Sequence, residues 1–499
     1  MSSQKISSRD RAFFARVSRA ALCNPFSEER ARLDAAIARL PAAAPEGERI
    51  AAAAARVRGR IRRLEPLGLA DLRAYAGEER TRMQSVFLFE VYHRYSAPFD
   101  ALIADQLAAG ERPVSVPFAG EAMAALVGRG FPEAEAAHHF SILFQLKRAY
   151  YFIEQGLIGQ SASMKQLRRR LWSNVFTDDL RLYGLYLWNR MEDFSTLLLG
   201  ETGTGKGAAA AAIGRSGYIP FDPAKKAFAE SFTATLIGVN LAFYPEALIE
   251  SELFGHRKGA FTGAIENHPG VFALCRPHGS IFLDEIGDVS PTVQVKLLRV
   301  LQERTFSPVG SHARERFSGR VIAATNRPLD ALRAQGLFRD DFYYRLCSDT
   351  ITVPPLRERL REEPGELDLI LAHIVARLIG APAPELVDLA REAIAGQVGL
   401  DYAWPGNVRE LEQAVRRILL RGEYRGERPP PEAPGRGDPS AAALAADRVL
   451  ARHCRALFRR HGSYEAVARL VRLDRRTVKR YVQLAAAEAP RGSETREGP

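Results

Sequence analysis

Cysteine is scarce: four in 499 residues, Cys23, Cys275, Cys347 and Cys454, with no metal-ligand spacing among them. They read as reduced, mostly buried thiols of a cytoplasmic protein. No stretch approaches the roughly 18 uninterrupted apolar residues of a spanning helix. The Ala-rich run at 50–57 is short and flanked by Glu and Arg. The first 12 residues hold no apolar signal core, so export is not expected. No internal repeat is visible. What remains is ordinary for soluble globular proteins, 46% hydrophobic and 26% charged, and the length suggests two to four domains.

Acid is in deficit. The net charge is +11 with a pI near 9.6, which favours a polyanionic partner without naming one. Location is more informative than the total. The last 59 residues carry 13 Lys+Arg against 6 Asp+Glu, the electrostatic footprint of a nucleic-acid-binding end.

Up to residue 155 the chain reads as helical and is nearly free of Gly-rich loops. Ser27 is a plausible N-cap, followed by Leu33, Ala36, Ile37 and Leu40 at helical spacing, and Pro41 breaks the run. Further helical patterns cover 83–95, 99–109, 121–127 and 133–154. From 156 to 422 short apolar runs (196–199, 281–283, 321–324) alternate with helical patterns, which predicts a parallel sheet covered by helices on both faces. Pro429, Pro430, Pro431 and Pro434 mark 423–440 as a linker. A basic helical segment at 441–485 follows, then a disordered tail at 486–499.

The strand at 196–199 runs straight into Gly200-Glu201-Thr202-Gly203-Thr204-Gly205-Lys206, and a helix-prone run follows. Strand, Gly-rich loop and helix form a phosphate cradle: backbone N–H groups wrap the β-phosphate, and Lys206 supplies charge to the β/γ oxygens. Gly207 stands where Ser or Thr commonly helps to hold Mg²⁺. Downstream, an apolar strand ends in Asp284-Glu285. Paired carboxylates at a buried strand end are costly unless they have a task. Asp284 is placed to orient a Mg²⁺–water shell, and Glu285 to polarise the attacking water. ATP and Mg²⁺ are the expected ligands.

Ser251-Glu252-Leu253-Phe254-Gly255-His256-Arg257-Lys258 then leads into Gly259-Ala260-Phe261-Thr262-Gly263-Ala264. From about 156 to 422 the sequence resembles the sigma-54-dependent transcription activators, or bacterial enhancer-binding proteins, of the AAA+ ATPase class. The resemblance implies an α/β AAA+ domain with a helical lid. It also implies that residues 259–264 form the tip of a loop that rises when nucleotide binds, with Phe261 and Thr262 touching the sigma factor. Asn240 would restrain the catalytic Glu285, and Asn326 would read the γ-phosphate. Arg339 and Arg345 would reach the ATP of a neighbouring subunit in a ring, expected to be a hexamer. Arg409, in Trp404-Pro405-Gly406-Asn407-Val408-Arg409-Glu410, would touch the phosphate from the lid. Members of the family often lack Ser/Thr at the Gly207 position.

At the C-terminal end Ser463 can cap a helix with Tyr464, Val467, Ala468 and Val471 on one face. A turn at Arg472-Leu473-Asp474 leads to a second helix over 475–484, capped by Asp474, with Val478, Tyr481 and Val482 as its buried stripe. Arg475, Arg476, Thr477, Lys479 and Arg480 are left for DNA. The pair fits a helix-turn-helix with its second helix in the major groove and resembles the Fis-type domain of the same activators. A basic helical hairpin serving oligomerisation is the bland alternative.

The first 155 residues match no named sensory domain. They lack strands ending in phosphoacceptor acids and lack metal-spaced Cys/His sets. His138-His139 and Tyr92-His93-Arg94-Tyr95 invite a ligand-site reading, but aromatics at helical spacing are more often core. Ligand sensing and control by protein contact stay equally open. Taken whole, the expectation is a DNA-bound cytoplasmic ATPase, with no membrane association, that remodels the sigma-54 RNA polymerase holoenzyme. A different AAA+ remodeller, or a repressor using its ATPase domain only for assembly, is the alternative.

Overall fold

Neighbouring strand residues enter opposite cores, and that alternation fixes the architecture of the central region. The computed structural model describes residues 6–426, 451, 453–455, 457–471 and 473–487, with backbone alone at 485–487. Two compact units divide between Gly426 and Glu427.

In the first unit the principal helices before the sheet are α1 (Ser8–Leu22), α2 (Glu28–Ala38), α3 (Glu46–Leu64), α4 (Gly77–Arg94), α5 (Ser96–Ala109), α6 (Ala119–Gly128), α7 (Glu133–Gly156) and α8 (Ala162–Phe176). Ser27 caps α2 as expected, accepting the Arg30 N–H at 3.1 Å. The buried stripe of α2 differs from the expected one. Leu33 and Ile37 are buried, but Ala35 and Ala38 join them while Ala36 faces solvent and Leu40 is half-buried. A 2.9 Å ion pair with Arg30 lets Asp34 sit inside beside them.

The sheet is wholly parallel, in the order β4 (Leu236–Asn240), β5 (Ser280–Asp284), β8 (Arg320–Thr325), β1 (Thr196–Leu199), β9 (Asp349–Thr352). Two short antiparallel pairs lie outside it: β2 (Phe221–Asp222) with β3 (Ala227–Phe228), and β6 (Thr305–Phe306) with β7 (Glu315–Arg316). This is the α/β sheet that the apolar runs predict. Leu197, Val321, Ala323, Ile281 and Leu283 enter a core beneath one face. Leu198, Ile322, Ala324 and Ile351 enter the core on the other. Period-two alternation with both faces covered is the signature of a buried parallel sheet.

The second of those cores has no break before the sheet. Phe99, Phe140 and Phe144 of the N-terminal helices belong to the same cluster as Leu198 and Ile322. Phe144 stacks on Phe228 with ring centroids 4.4 Å apart. Full burial of each such ring contributes about 1.5–3 kcal/mol, so the helical region and the sheet hold each other. Polar contacts reinforce the seam at the end of α9 (Lys206–Gly214), the helix that leaves the phosphate loop. Fully buried Arg148 of α7 donates to the Arg215 and Gly217 carbonyls at 2.9 and 2.6 Å. Gln145 donates to the Ser216 carbonyl at 2.9 Å, and the Phe221 N–H donates to Ser141 at 2.9 Å. A cation at helix-terminal carbonyls satisfies groups that the helix leaves open.

Among the helices that follow β4, β5 and β8 are α10 (Glu246–Phe254), α11 (Pro291–Glu303) and α12 (Asp340–Leu346). The lid follows, with α13 (Leu356–Glu362), α14 (Glu366–Ile379), α15 (Pro384–Gln397) and α16 (Asn407–Arg421) around a core of their own. Glu366 ties the lid back to the chain before α8, accepting the Gln160 and Ser161 N–H groups at 2.6 and 3.1 Å.

In the second unit α17 (Tyr464–Val471) and α18 (Arg475–Ala487) pack through Val467, Val478, Tyr481 and Val482. Asp474 caps α18 by accepting the Thr477 N–H at 2.9 Å. Arg472, most of the 423–440 linker and the tail from 488 lie outside the described residues. Cys23, Cys275 and Cys347 are only half-buried, against the expectation of mostly buried thiols; Cys454 is buried, and all four are free. Among the described residues no helix is long and apolar enough to cross a membrane.

Candidate active site

Parallel register assembles the site. Leu199, the residue before the Gly-rich loop, pairs with Thr325, and Asn240 pairs with Asp284. The loop, the acidic pair, Asn240 and Asn326 therefore emerge together at the C-terminal ends of adjacent strands, where open α/β sheets bind ligands. Gly205 has φ +105°, and a Cβ there would meet nothing within 4 Å, so the glycine-rich turn into α9 faces open space. Such a turn fits a polyphosphate. Lys206 is almost fully buried and donates to the Gly200 and Glu201 carbonyls at 2.9 and 3.2 Å. Burial pushes its ammonium below the usual value, Glu285 and Asp284 oppose that, and Arg409 adds to it. Thr204 closes the turn through its hydroxyl to the Glu201 carbonyl at 2.9 Å. Gly207 is exposed and faces open space, so nothing steric requires glycine there.

Glu285 sits at φ +57°, an uncommon conformation for a non-Gly residue and one that clusters at functional sites. Its Oε2 accepts the Asn326 N–H at 3.3 Å, while the Asn326 side chain donates to Thr202 Oγ1 at 2.7 Å. Asn326 thus bridges the acid to the loop. Asn240 donates to Asp284 at 3.3 Å and not to Glu285, the residue that the resemblance pairs it with. Asp284 stands between Asn240 and the Glu285 N–H, which it accepts at 3.1 Å. A carboxylate so placed can hold a hydrated divalent cation. Among the described residues no group of three or more His, Cys, Asp or Glu gathers as a metal cluster.

The lid supplies residues that the sequence did not single out. Asn407, fully buried at φ +54°, donates to Glu201 Oε2 at 3.1 Å and to the Thr202 carbonyl at 3.0 Å, and accepts the Leu356 N–H at 2.8 Å. Arg357 grips Glu201 through two bonds of 2.7 and 2.5 Å and holds that carboxyl below the usual carboxylate range; Asn407 adds to the effect. The Val408 N–H donates to the Gly203 carbonyl at 3.1 Å. The approach is so close that a Cβ on Gly203 would lie 2.2 Å from the Gly406 carbonyl oxygen and 2.9 Å from Arg409 Cβ. Arg409 itself stays exposed beside the loop.

Arg339 and Arg345 are not part of this cluster. Both are exposed at α12, Arg339 paired with Asp341 at 2.8 Å and Arg345 donating to the Leu301 carbonyl at 2.9 Å. The 259–264 turn is also separate. Gly259 and Gly263 take φ +82° and +103°, and the Gly259 N–H donates to the Ala264 carbonyl at 2.8 Å. Phe261, Thr262 and Gly263 are exposed, Ala260 is half-buried and Ala264 is buried. The Phe261 ring rests edge-on against His256, centroids 4.9 Å apart, and Ser251 fixes His256 by a 2.7 Å hydrogen bond from the preceding helix. In the second unit Arg475, Arg476, Lys479 and Arg480 are exposed on α18, with Thr477 half-buried at its start.

Residues 187–352 match the profile described as the Sigma-54 interaction domain. The chain is 39% identical over 289 residues to the Nif-specific regulatory protein of Azotobacter vinelandii, covering 58% of this chain and 49% of that protein. It is 44% identical over 227 residues to the nitrogen fixation protein AnfA of the same organism, covering 45% of this chain and 39% of that one. Over 246 residues it is 42% identical to the transcriptional regulatory protein ZraR of Klebsiella oxytoca, covering 48% of this chain and 51% of ZraR. The chain therefore spans about half the length, or less, of the curated relatives it matches.

Proposed function

We propose that the chain is a sigma-54-dependent activator of the AAA+ class, a DNA-bound, cytoplasmic ATPase that opens promoters held by sigma-54 RNA polymerase. The observation that carries this reading is the meeting of phosphate loop, Asp284-Glu285 and Asn326 on one sheet edge, in a chain that also presents Phe261 and Thr262 to solvent on a small-residue turn. In the proposed cycle the N–H groups of 200–207 and Lys206 bind the phosphates of ATP. Bound Mg²⁺, held through Asp284 and water, would neutralise phosphate charge. Glu285 takes the proton of the attacking water. Asn326 and Arg409 register the phosphate, Asn240 acts on the acidic pair through Asp284, and Arg339 and Arg345 complete a neighbour's site in a ring of six. Arginine delivered in trans stabilises the charge spread over the transferred group. Exposure of both arginines, Arg339 just before α12 and Arg345 within it, is in keeping with that role.

The proposed division of labour follows from these placements. Residues 1–155 regulate, 156–422 hydrolyse ATP and engage the sigma factor, and the basic helix of the second unit enters the DNA major groove. A remodeller of another kind has no use for the 259–264 turn. A repressor that merely assembles has no use for Glu285. The test is promoter opening with purified sigma-54 holoenzyme, with and without ATP. Opening is expected only with ATP, and a Thr262→Ala variant should lose it while keeping most of its hydrolysis. A variant that opens promoters as well as the parent contradicts the proposal.

A further inference from the structure

A partly open cavity of about 340 Å³ lies among the N-terminal helices, walled by α1, α2, α3, α4, α5, α7 and α8 and by the segment at 180–185. Its volume is at the lower end of small-molecule sites. The wall is mainly apolar and aromatic, with Phe89, Tyr92, Tyr150 and Trp172 among the contributors. Tyr92 and His93 are half-buried and line it.

Two of the three Lys and Arg side chains in the wall are matched by acids. Arg30 is paired with Asp34 at 2.9 Å, Lys147 with Asp100 at 2.8 Å, and Glu46 accepts the Tyr150 hydroxyl at 3.2 Å. The histidines differ: Nε2 of His93 and Nε2 of His139 are enclosed, without accessible surface, and have no hydrogen-bond partner. His139 is 3.7 Å from Glu135 across a half-solvated contact. Burial pushes the two imidazoles down to about 3 and about 4, so both are neutral near pH 7 and each can donate or accept. An apolar wall carrying neutral imidazoles favours a hydroxyl or carbonyl on an apolar body.

The two faces of α7 connect this cavity with the phosphate loop. His139, Ile142, Leu143, Leu146 and Lys147 line the cavity. Ser141, Gln145 and Arg148, on the other face, hold the end of α9 and the turn after it. Trp172 of α8 also lines the cavity, and two residues on Asn174 donates to Thr196 of β1 at 3.0 Å.

We infer that this cavity is a binding site for an uncharged, ring-sized apolar molecule bearing one hydrogen-bonding group, met by His93, and that α7 passes its occupancy to the phosphate loop. The second half rests on the nucleotide reading above; the first does not.

The experiment uses the full chain without nucleotide, titrated calorimetrically with 1-naphthol and, separately, with 1-naphthoate. Saturable one-to-one binding of 1-naphthol is expected, with 1-naphthoate weaker. His93→Phe should weaken 1-naphthol about tenfold, the worth of one hydrogen bond, and Leu143→Trp should abolish its binding by filling the space. Absence of saturable 1-naphthol binding, tighter binding of the anion, or unchanged affinity in both variants overturns the site. A fluorescent ATP analogue is then titrated with and without saturating 1-naphthol. At least about a fivefold shift in its affinity is expected. An unchanged affinity overturns the coupling alone, and failure of the analogue to bind at all refutes the nucleotide reading while leaving the cavity's ligand in place.

Discussion

Replacing Asn407 with Ala should destabilise the lid where it meets the phosphate loop by roughly 2–5 kcal/mol. The estimate adds two costs. The Leu356 N–H, donated to Asn407 Oδ1 in a fully buried setting, loses its partner at about 1–3 kcal/mol. Ala must also adopt φ +54°, at about 1–2 kcal/mol. The bonds to Glu201 and the Thr202 carbonyl count for little, because both residues reach solvent and Glu201 keeps Arg357. The assay is amide hydrogen exchange of Leu356 and of Val408, whose N–H crosses to Gly203. Protection at both should fall by about two powers of ten, while amides of β5 stay as they were. Asn407→Gly, free of the backbone strain, should recover about 1 kcal/mol of that loss. Unchanged protection at Leu356 and Val408 in Asn407→Ala would refute the latch.

Three further outcomes follow from the same geometry. Gly203→Ala drives a Cβ against the Gly406 carbonyl, so the lid must part from the loop; exchange at Val408 should rise, with the Leu356 amide less affected. Lys206→Ala should abolish ATP turnover in a coupled phosphate-release assay, and full turnover would mean that the phosphate loop is misassigned. The third concerns pH. The unfolded chain binds protons at His93 and His139 near pH 6.5, while the folded chain resists to about 3 and about 4. Their contribution to stability is present above pH 6.5 and is lost as pH falls toward the folded values. At pH 5 each costs up to about 2 kcal/mol relative to pH 7. Urea midpoints at the two pH values should differ accordingly, less so in His93→Phe, and equal midpoints in the parent would contradict the buried, neutral imidazoles.

The sheet was legible in the sequence because buried parallel strands must be short, apolar and bounded by turns, and 196–199 is reproduced to the residue. The phosphate loop was legible because its chemistry is local: one glycine-bounded turn between strand and helix. Asn407 and Arg357 escaped as loop partners since their roles depend on carboxylate and carbonyl groups more than 150 residues away, brought near by folding. The same holds for Arg148. On a helical wheel it looks like a polar position, and only the arrival of α9 turns it into a buried cap; its one local signal is its place between Phe144 and Phe152 in an apolar run. Asn240 was found, but its contact with Asp284 depends on the side-by-side register of β4 and β5, which spacing along the chain cannot give.

The central claim is that nucleotide at the phosphate loop governs contact between the exposed turn and the sigma factor. A photo-crosslinker placed at Phe261 of the full chain, mixed with sigma-54 holoenzyme, tests this most directly. The account predicts capture of the sigma factor with a transition-state analogue of ATP hydrolysis and little capture without nucleotide or in a Lys206→Ala background. Equal capture in all three conditions, or capture of no polymerase subunit in any, would contradict it.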